Sequence, residues 1–326
     1  MKVLVTGGAG YVGSHACKAI ARAGHEPVTF DNLSTGHRAA VRWGPLILGD
    51  LGDEGAVRRA LKVEGVQAVM HFAASAYVGA SVSDPRAYYA NNVTNGLLLL
   101  DAMLDAGVRH LIFSSSCAIF GAQRTPLLDE THAQEPLNPY GETKRAFEQV
   151  LRWYEGAYGL RSVCLRYFNA AGADPEGETG EEHDPEPHLI PNVLRTAARA
   201  RPFVEVFGAD YPTPDGTAVR DYVHVSDLAS AHVLALDHLT GGGASLQLNL
   251  GTGRGHSVRD VVETTAAVCG VEIPTRICPR RAGDPPLLVA DGRVAQRALG
   301  WTPRLSDLES IVRSAWRWYR RGDAAQ

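Results

Sequence analysis

Over the first 170 positions, short apolar runs alternate with longer stretches whose apolar residues recur three or four apart. Val3–Val5 is the first run, closed by Thr6 and Gly7; Tyr11–Ala23 then has helical spacing and stops at Gly24. His25–Asn32, Pro45–Asp50 and Gln67–Ala73 predict a second, third and fourth strand, with a helix over Ala56–Lys62. A long helix is expected after Pro85, and a fifth strand at His110–Ser116. An amphipathic helix over Tyr140–Gly159 and a sixth strand at Leu160–Asn169 complete the series. Buried strands alternating with helices specify a parallel sheet covered on both faces.

The alternation stops after Asn169, where Ala170–His188 is rich in glycine, proline and acid and reads as a loop. Beyond it, helices are expected near Leu189–Arg201, Ser226–Leu239, Val258–Cys269 and Asp307–Arg320. The fold class is therefore α/β: a Rossmann-type doubly wound parallel sheet with a smaller mixed α/β substrate domain at its carboxyl edge. The first domain takes residues 1–170, with returning segments around 221–250, and the second takes 171–326. Open α/β sheets bind ligands at the carboxyl edge, so the cleft between the two parts is the expected site.

Composition narrows the classes. A chain of 326 residues, 45% hydrophobic and 21% charged, suits a soluble globular protein with a substantial core. A net charge of −4 and a pI near 6.3 give no basic field for nucleic acid. No apolar run reaches the ~20 residues that a membrane-spanning helix needs, and the first residues lack the pattern of a signal peptide. Cys17, Cys117, Cys164, Cys269 and Cys278 form no CxxC pair, which favours reduced thiols and a cytoplasmic location.

Candidate chemistry begins with Gly7, Gly10 and Gly13, between the first strand and the first helix. A helix start presents free N–H groups at the positive end of its dipole, and a diphosphate fits there when no side chain blocks it. The spacing is GxxGxxG, and a tight turn that binds nothing is the plainer alternative. Asp31 ends the second strand, where an acidic residue hydrogen-bonds an adenosine ribose and repels a 2′-phosphate, favouring NAD over NADP. As a mere turn residue of "DNLSTG" it would have no such role.

Tyr140 and Lys144 are one helical turn apart and share a face. A nearby ammonium and a cationic nicotinamide favour the phenolate, which then serves as a general base. Alone, YxxxK is a common feature of surface helices. Ser114–Ser116 at the end of the fifth strand add a serine that could bond the same substrate hydroxyl.

Taken in order, TGGAGYVGSH, DNLSTG, HFAA, NNV, SSS, YGETK and LRYFNAAGA resemble the extended short-chain dehydrogenase/reductase superfamily. YFNAAGA, DGTAVRDYVHVSDLA, LNLGTGRGHSV and PRRAGDPP narrow the resemblance to its UDP-glucose 4-epimerase family, from Lys2 to about Trp318. That resemblance implies inversion of a UDP-sugar at C4 through a 4-keto intermediate on tightly held NAD. It implies Tyr140 as base, Lys144 as the residue that lowers its pKa and binds the nicotinamide ribose, and Ser116 on the C4 oxygen. Cofactor contacts would come from Gly7, Gly10, Tyr11, Val12, Gly13, Asp31, Asn32, Leu33, Ser34, Thr35 and Gly36. They continue with Asp50, Leu51, Phe72, Ala73, Ala74, Asn91 and Phe168. The UDP-sugar would be held by Asn169, His188, Leu189, Phe207, Arg220, Arg281, Asp284 and Leu288, and two such subunits would pair as a homodimer. The pairing would use helices around Asn91–Ala106 and Tyr140–Ala157, with Leu97–Leu100, Trp153 and Tyr154 in the contact.

Four positions depart from the family pattern. Phe120 lacks the hydroxyl of the usual tyrosine, and Ala76 stands where some members have lysine. His188 replaces an asparagine and reads as a capping or packing residue. Leu288 sits where bulk beside the sugar's C2 substituent gates N-acetylated sugars. A 4-epimerase for UDP-N-acetylglucosamine, UDP-xylose or UDP-glucuronate stays open as an alternative. A dehydratase would need carboxylates directly after Ser116, where this chain has Cys117 and Ala118; a non-catalytic NAD(H) sensor would tend to lose the tyrosine that this chain keeps. The histidines show no HxxxH or HxH spacing, so no metal is expected, and the acidic run Glu176–Glu186 reads as a solvated loop.

Overall fold

The computed structural model describes residues 1–321 except Glu64, Arg124 and Ala282. Six strands follow the predicted runs: β1 Lys2–Thr6, β2 Glu26–Asp31, β3 Leu46–Leu48, β4 Ala68–His71, β5 His110–Ser116 and β6 Arg161–Tyr167. A seventh, Leu246–Leu250, lies beside β6, and the wholly parallel sheet runs β3-β2-β1-β4-β5-β6-(Leu246–Leu250). The direction of winding reverses between β1 and β4, which opens a crevice at their carboxyl ends.

Strand alternation divides the core into two layers. Leu4, Val28, Val69 and Leu111 pack under the helices Glu54–Val63, Asn95–Asp105 and Pro139–Tyr158. Val3, Val5, Met70 and Ile112 face the helices Tyr11–Arg22 and Val225–Thr240, which also pack on each other. The helix expected after Pro85 is a continuous helical run to Asp105, with a widened turn at Ala90–Thr94. The Pro139–Tyr158 helix starts where the Asn138 side chain accepts the Gly141 N–H and stops at left-handed Gly159.

A third core joins the helices Leu189–Ala197, Val258–Cys269 and Leu308–Tyr319 through Ile190, Val193, Val261, Ile311 and Val312. Short pairings surround it: Val204–Phe207 with Thr275–Cys278, and Val219–Arg220 between His256–Ser257 and Leu287–Leu288. Asp221 ties these pieces together. Its buried carboxylate accepts the N–H groups of Thr252, Gly253 and Ala290. No helix among the described residues is long and apolar enough to cross a membrane.

Candidate active site

The glycine turn lies at the carboxyl end of β1. Gly7 has φ +74°, and a Cβ there would meet the backbone of Ala73 and Phe72 at 2.6–2.9 Å. A Cβ on Gly13 would come within 2.1 Å of the Gly7 carbonyl oxygen, so helix and turn touch only through glycine. Gly10 occupies the N-cap with no side-chain cap, and Tyr11 and Val12 open the first helical turn. A cleft of about 270 Å³ adjoins them, lined in part by Gly10, Tyr11, Ser14, Thr35, His183 and Trp318. Three glycines, an uncapped helix start and an adjoining cleft fit a dinucleotide diphosphate.

Asp31 closes β2 and is buried. Its carboxylate accepts the Ala9 N–H at 3.0 Å and the Leu33 N–H at 2.8 Å, which pins the glycine turn to the next loop. It therefore acts as a turn residue, and each oxygen retains a second acceptor site. Asn32 accepts the Ser34 N–H and donates to Asp50 at 2.7 Å. Gly36 sits against Ala9, where a Cβ would be 2.9 Å from its backbone, so the Asn32–Gly36 loop lies over the turn.

Other expected cofactor residues differ in what they can offer. Tyr11 spends its hydroxyl on the Gly172 carbonyl at 2.6 Å, which leaves its backbone for a phosphate. Leu51 is buried against the sheet core beside the Asp50 loop. Phe72 and Ala73 donate their N–H groups to the Thr6 carbonyl, and Ala74 follows them toward the crevice. Asn91 donates to Ser75, but its neighbour Asn92 is the buried clamp, bonded to Ser75 and to Thr143 on the Tyr140 helix.

The second constellation converges at the end of β5. Lys144 is buried, donates to the Ser114 carbonyl at 2.7 Å and lies over the Phe113 and Tyr140 rings. Burial pushes its ammonium down to about 7, against the opposing pull of Glu148. Burial likewise raises the Tyr140 phenol well above its usual range, the Tyr167 phenol adds to this, and Ser116 favours the ionised form. Burial thus opposes the lowering of the phenol pKa that Lys144 is expected to supply. Ser116 accepts the Ala118 N–H and keeps its own hydrogen to donate.

Several supporting residues escape a sequence reading. Ser115 donates to Glu148 at 2.6 Å, and Glu148 forms a buried two-point pair with Arg166. Tyr167 meets the Ser114 hydroxyl at 2.5 Å. His71, at the end of β4, bonds Thr6 and stacks on Phe113. Glu148 follows Lys144 by the same four-residue step as Lys144 follows Tyr140, a signal available in the sequence; Arg166 and Tyr167 come from a distant strand.

The expected UDP-sugar residues meet in pairs. The Arg281 guanidinium stacks 4.0 Å over the Phe207 ring, and Arg220 is ion-paired with Asp284. Leu288 lies beside Arg220 in strand register and packs against the apolar cluster that includes Cys117, Phe120 and Phe168. Asn169 donates its N–H to the Asp221 carbonyl, and Leu189 opens the Leu189–Ala197 helix. His188 corrects the expectation of a cap. It occupies the N-cap position without a side-chain cap bond, and its ring turns to Glu181 at 2.5 Å.

A glycine turn beside an acidic strand end, with a buried Tyr–Lys helix at the same sheet edge, defines a nicotinamide-dependent protein of the short-chain dehydrogenase/reductase type. The chain belongs to the NAD dependent epimerase/dehydratase family, whose model matches residues 3–251. A UDP-glucose 4-epimerase of Rhizobium leguminosarum bv. trifolii is 49% identical over 321 residues, 98% of each chain. The crystal structure of UDP-glucose 4-epimerase from Brucella ovis in complex with NAD is 51% identical, with a TM-score of 0.94 over 97% of each chain. A UDP-glucose 4-epimerase from Stenotrophomonas maltophila, solved with NAD and formylated UDP-arabinopyranose, is 41% identical with a TM-score of 0.96 over both full chains.

Proposed function

We propose that the chain interconverts UDP-galactose and UDP-glucose by inversion at C4, with NAD held throughout. The observation that carries this reading is the convergence of Ser116, Tyr140 and Lys144 at the end of β5, beside the glycine turn. The likeness to UDP-glucose 4-epimerases along the whole chain supports it. We read residues 1–170, with 221–250, as the cofactor domain and 171–326 as the sugar-nucleotide domain.

NAD supplies a two-electron acceptor that takes the C4 hydride and returns it. As the phenolate, which Ser116, the Lys144 ammonium and the positive charge of bound NAD would favour over the buried phenol, the Tyr140 oxygen takes the proton of the sugar's C4 hydroxyl, and Ser116 hydrogen-bonds the same oxygen. Lys144 fixes the Tyr140 helix against β5 and offers its ammonium to the cofactor ribose. Arg220 and Arg281 provide forked donors for the diphosphate, so the 4-keto sugar turns about that linkage while the nucleotide stays. The hydride would return to the opposite face of C4, and Tyr140 gives its proton back to the C4 oxygen.

Pairing through the Asn91–Ala106 and Tyr140–Ala157 helices belongs to the same reading, as does a cytoplasmic setting for five free cysteines. The test is incubation with UDP-galactose, UDP-glucose, UDP-xylose, UDP-glucuronate and UDP-N-acetylglucosamine separately. Interconversion of the first two is the expected result. Turnover confined to another pair would transfer the assignment to that sugar.

A further inference from the structure

The loop between the cofactor turn and the Leu189–Ala197 helix gathers Glu181, His183, Glu186 and His188. One ligand atom from each lies within 4.8 Å of all the others. The Nδ1 atoms of both histidines face the two carboxylates. His183 is 3.3 Å from Glu181 and 3.7 Å from Glu186; His188 is 2.5 Å and 3.4 Å from the same two. Four ligands in a tetrahedron around zinc at its usual bond lengths are about 3.4 Å apart. Three of the four contacts are close to that edge, and the fourth needs only to open.

Burial and bonding point the same way. The Glu186 side chain is 1% exposed and that of Glu181 8%. Two neighbouring carboxylates so deep need compensating positive charge, which either protonated His183 and His188 or a cation bound in place of their protons supplies. The His183 Nδ1 is buried, with no hydrogen-bond partner among the described residues although it faces both acids. The tyrosines Tyr11 and Tyr77 set their ring edges against His183 and limit its rotation. The other acidic cluster, Asp174, Glu176 and Glu178, is different: Lys18 already sits among its carboxylates at 2.6–3.0 Å.

We propose that Glu181, His183, Glu186 and His188 bind one divalent transition-metal cation of the zinc class. Imidazole with carboxylate suits that class better than the hard, all-oxygen cations. The ligands alternate as E-x-H-x-x-E-x-H, which a search for paired histidines passes over. Bound there, the cation staples the loop that carries His183, a wall of the cofactor cleft, to the start of the Leu189 helix. Its role is structural.

The full chain, purified without a histidine tag or chelator, should contain about one zinc by elemental analysis. After metal removal it should take up one equivalent of zinc in competition with a chromophoric chelator. His183→Ala/His188→Ala should weaken uptake by more than the ~10–100-fold that outer-shell changes cost. Cobalt in the wild-type chain should give the intense visible bands of four-coordinate ligation without the thiolate charge-transfer band. The cobalt spectrum decides the matter even if the double variant does not fold. No stoichiometric uptake by folded wild type, undiminished uptake by the folded variant, or a thiolate band would each overturn the site and leave a plain ion-pair network.

Discussion

Lys144 donates to the carbonyl oxygen of Ser114 at 2.7 Å, which fastens the helix of the proposed base to the strand that presents Ser116. The bond consumes one of three ammonium hydrogens and fixes the separation of helix and strand. Geometry is built in here, whereas the charge state is not: burial holds the Tyr140 phenol protonated and Lys144 near pH 7. Tyr140→Phe keeps the ring and removes the proton acceptor. Turnover of UDP-galactose should fall by ~10²–10⁴-fold, the usual share of a general base, with the circular dichroism spectrum unchanged. More than about a tenth of wild-type kcat would remove Tyr140 from the role.

Asp31 supports both a fold contact and the proposed cofactor preference, and substitution separates them. Asp31→Asn loses the charge that repels a 2′-phosphate and keeps only one of the two oxygens that accept the Ala9 and Leu33 N–H groups. NADP binding should rise relative to NAD, by titration of cofactor-free protein, while the thermal midpoint falls with the lost hydrogen bond. Perchloric-acid extracts of the purified wild type should contain nicotinamide, because a returned hydride requires that the cofactor stay. Equal NAD and NADP affinity in the wild type would end the role of Asp31 in discrimination.

The sheet was legible because β1, β4 and β5 are apolar on both faces, and only a doubly covered parallel sheet buries such runs. The Leu246–Leu250 strand was harder to see. It reads LQLNL, without the continuous apolar run of those strands, because Gln247 and Asn249 interrupt it, and Asn249 is fully buried and spends its amide on the Leu128 carbonyl. Of the site, Tyr140, Lys144 and the glycines were legible because their spacing is local. Arg166, Tyr167 and His71 were not, since what makes them matter is a neighbour 18 to 65 residues away.

Acid should destabilise the fold through histidines. Burial lowers His15 and His232 to about 4 and His71 to about 3. In the unfolded chain these groups titrate near ~6.5. As pH falls below that value the unfolded state binds protons that the folded state refuses, so stability drops until the folded values are reached. Each group adds a slope of up to about 1.4 kcal/mol per pH unit. His232→Leu, beneath Phe72, should flatten the decline between pH 6.5 and 4 in urea unfolding. An unchanged slope would mean that His232 titrates normally.

The pairing surface can be narrowed. Leu99 and Leu100 are wholly buried in the subunit's own core, so the apolar run Leu97–Leu100 is largely spent there. Tyr154 donates to Asp101, which also keeps it within the subunit. Trp153 is 80% exposed and Tyr158 55%, both on the Pro139–Tyr158 helix. Trp153→Glu should shift a dimeric mass to a monomeric one in sedimentation at micromolar concentration, with the helical signal intact. A wild-type monomer would refute the pairing.

Sugar preference is the finest question, and Leu288 frames it. Its side chain packs against the apolar cluster that includes Phe168, Phe120 and Cys117, and its strand runs beside Arg220. A sugar whose diphosphate rests on Arg220 and whose C4 oxygen reaches Ser116 must therefore pass near it. Leucine offers no hydroxyl to water or sugar, so its effect is steric, and apolar pockets reject a small group by only ~1–3 kcal/mol. UDP-galactose and UDP-glucose should be the preferred pair, with kcat/KM on UDP-N-acetylglucosamine at least ~10-fold lower. Leu288→Ser should raise the N-acetyl activity by opening room at C2. Leu288→Tyr should abolish it and spare the simple hexoses, provided the ring fits beside Phe120; a loss on both substrates would instead signal a disturbed apolar cluster. If both variants keep the wild-type substrate ratio, specificity is set elsewhere in the cleft and Leu288 only packs.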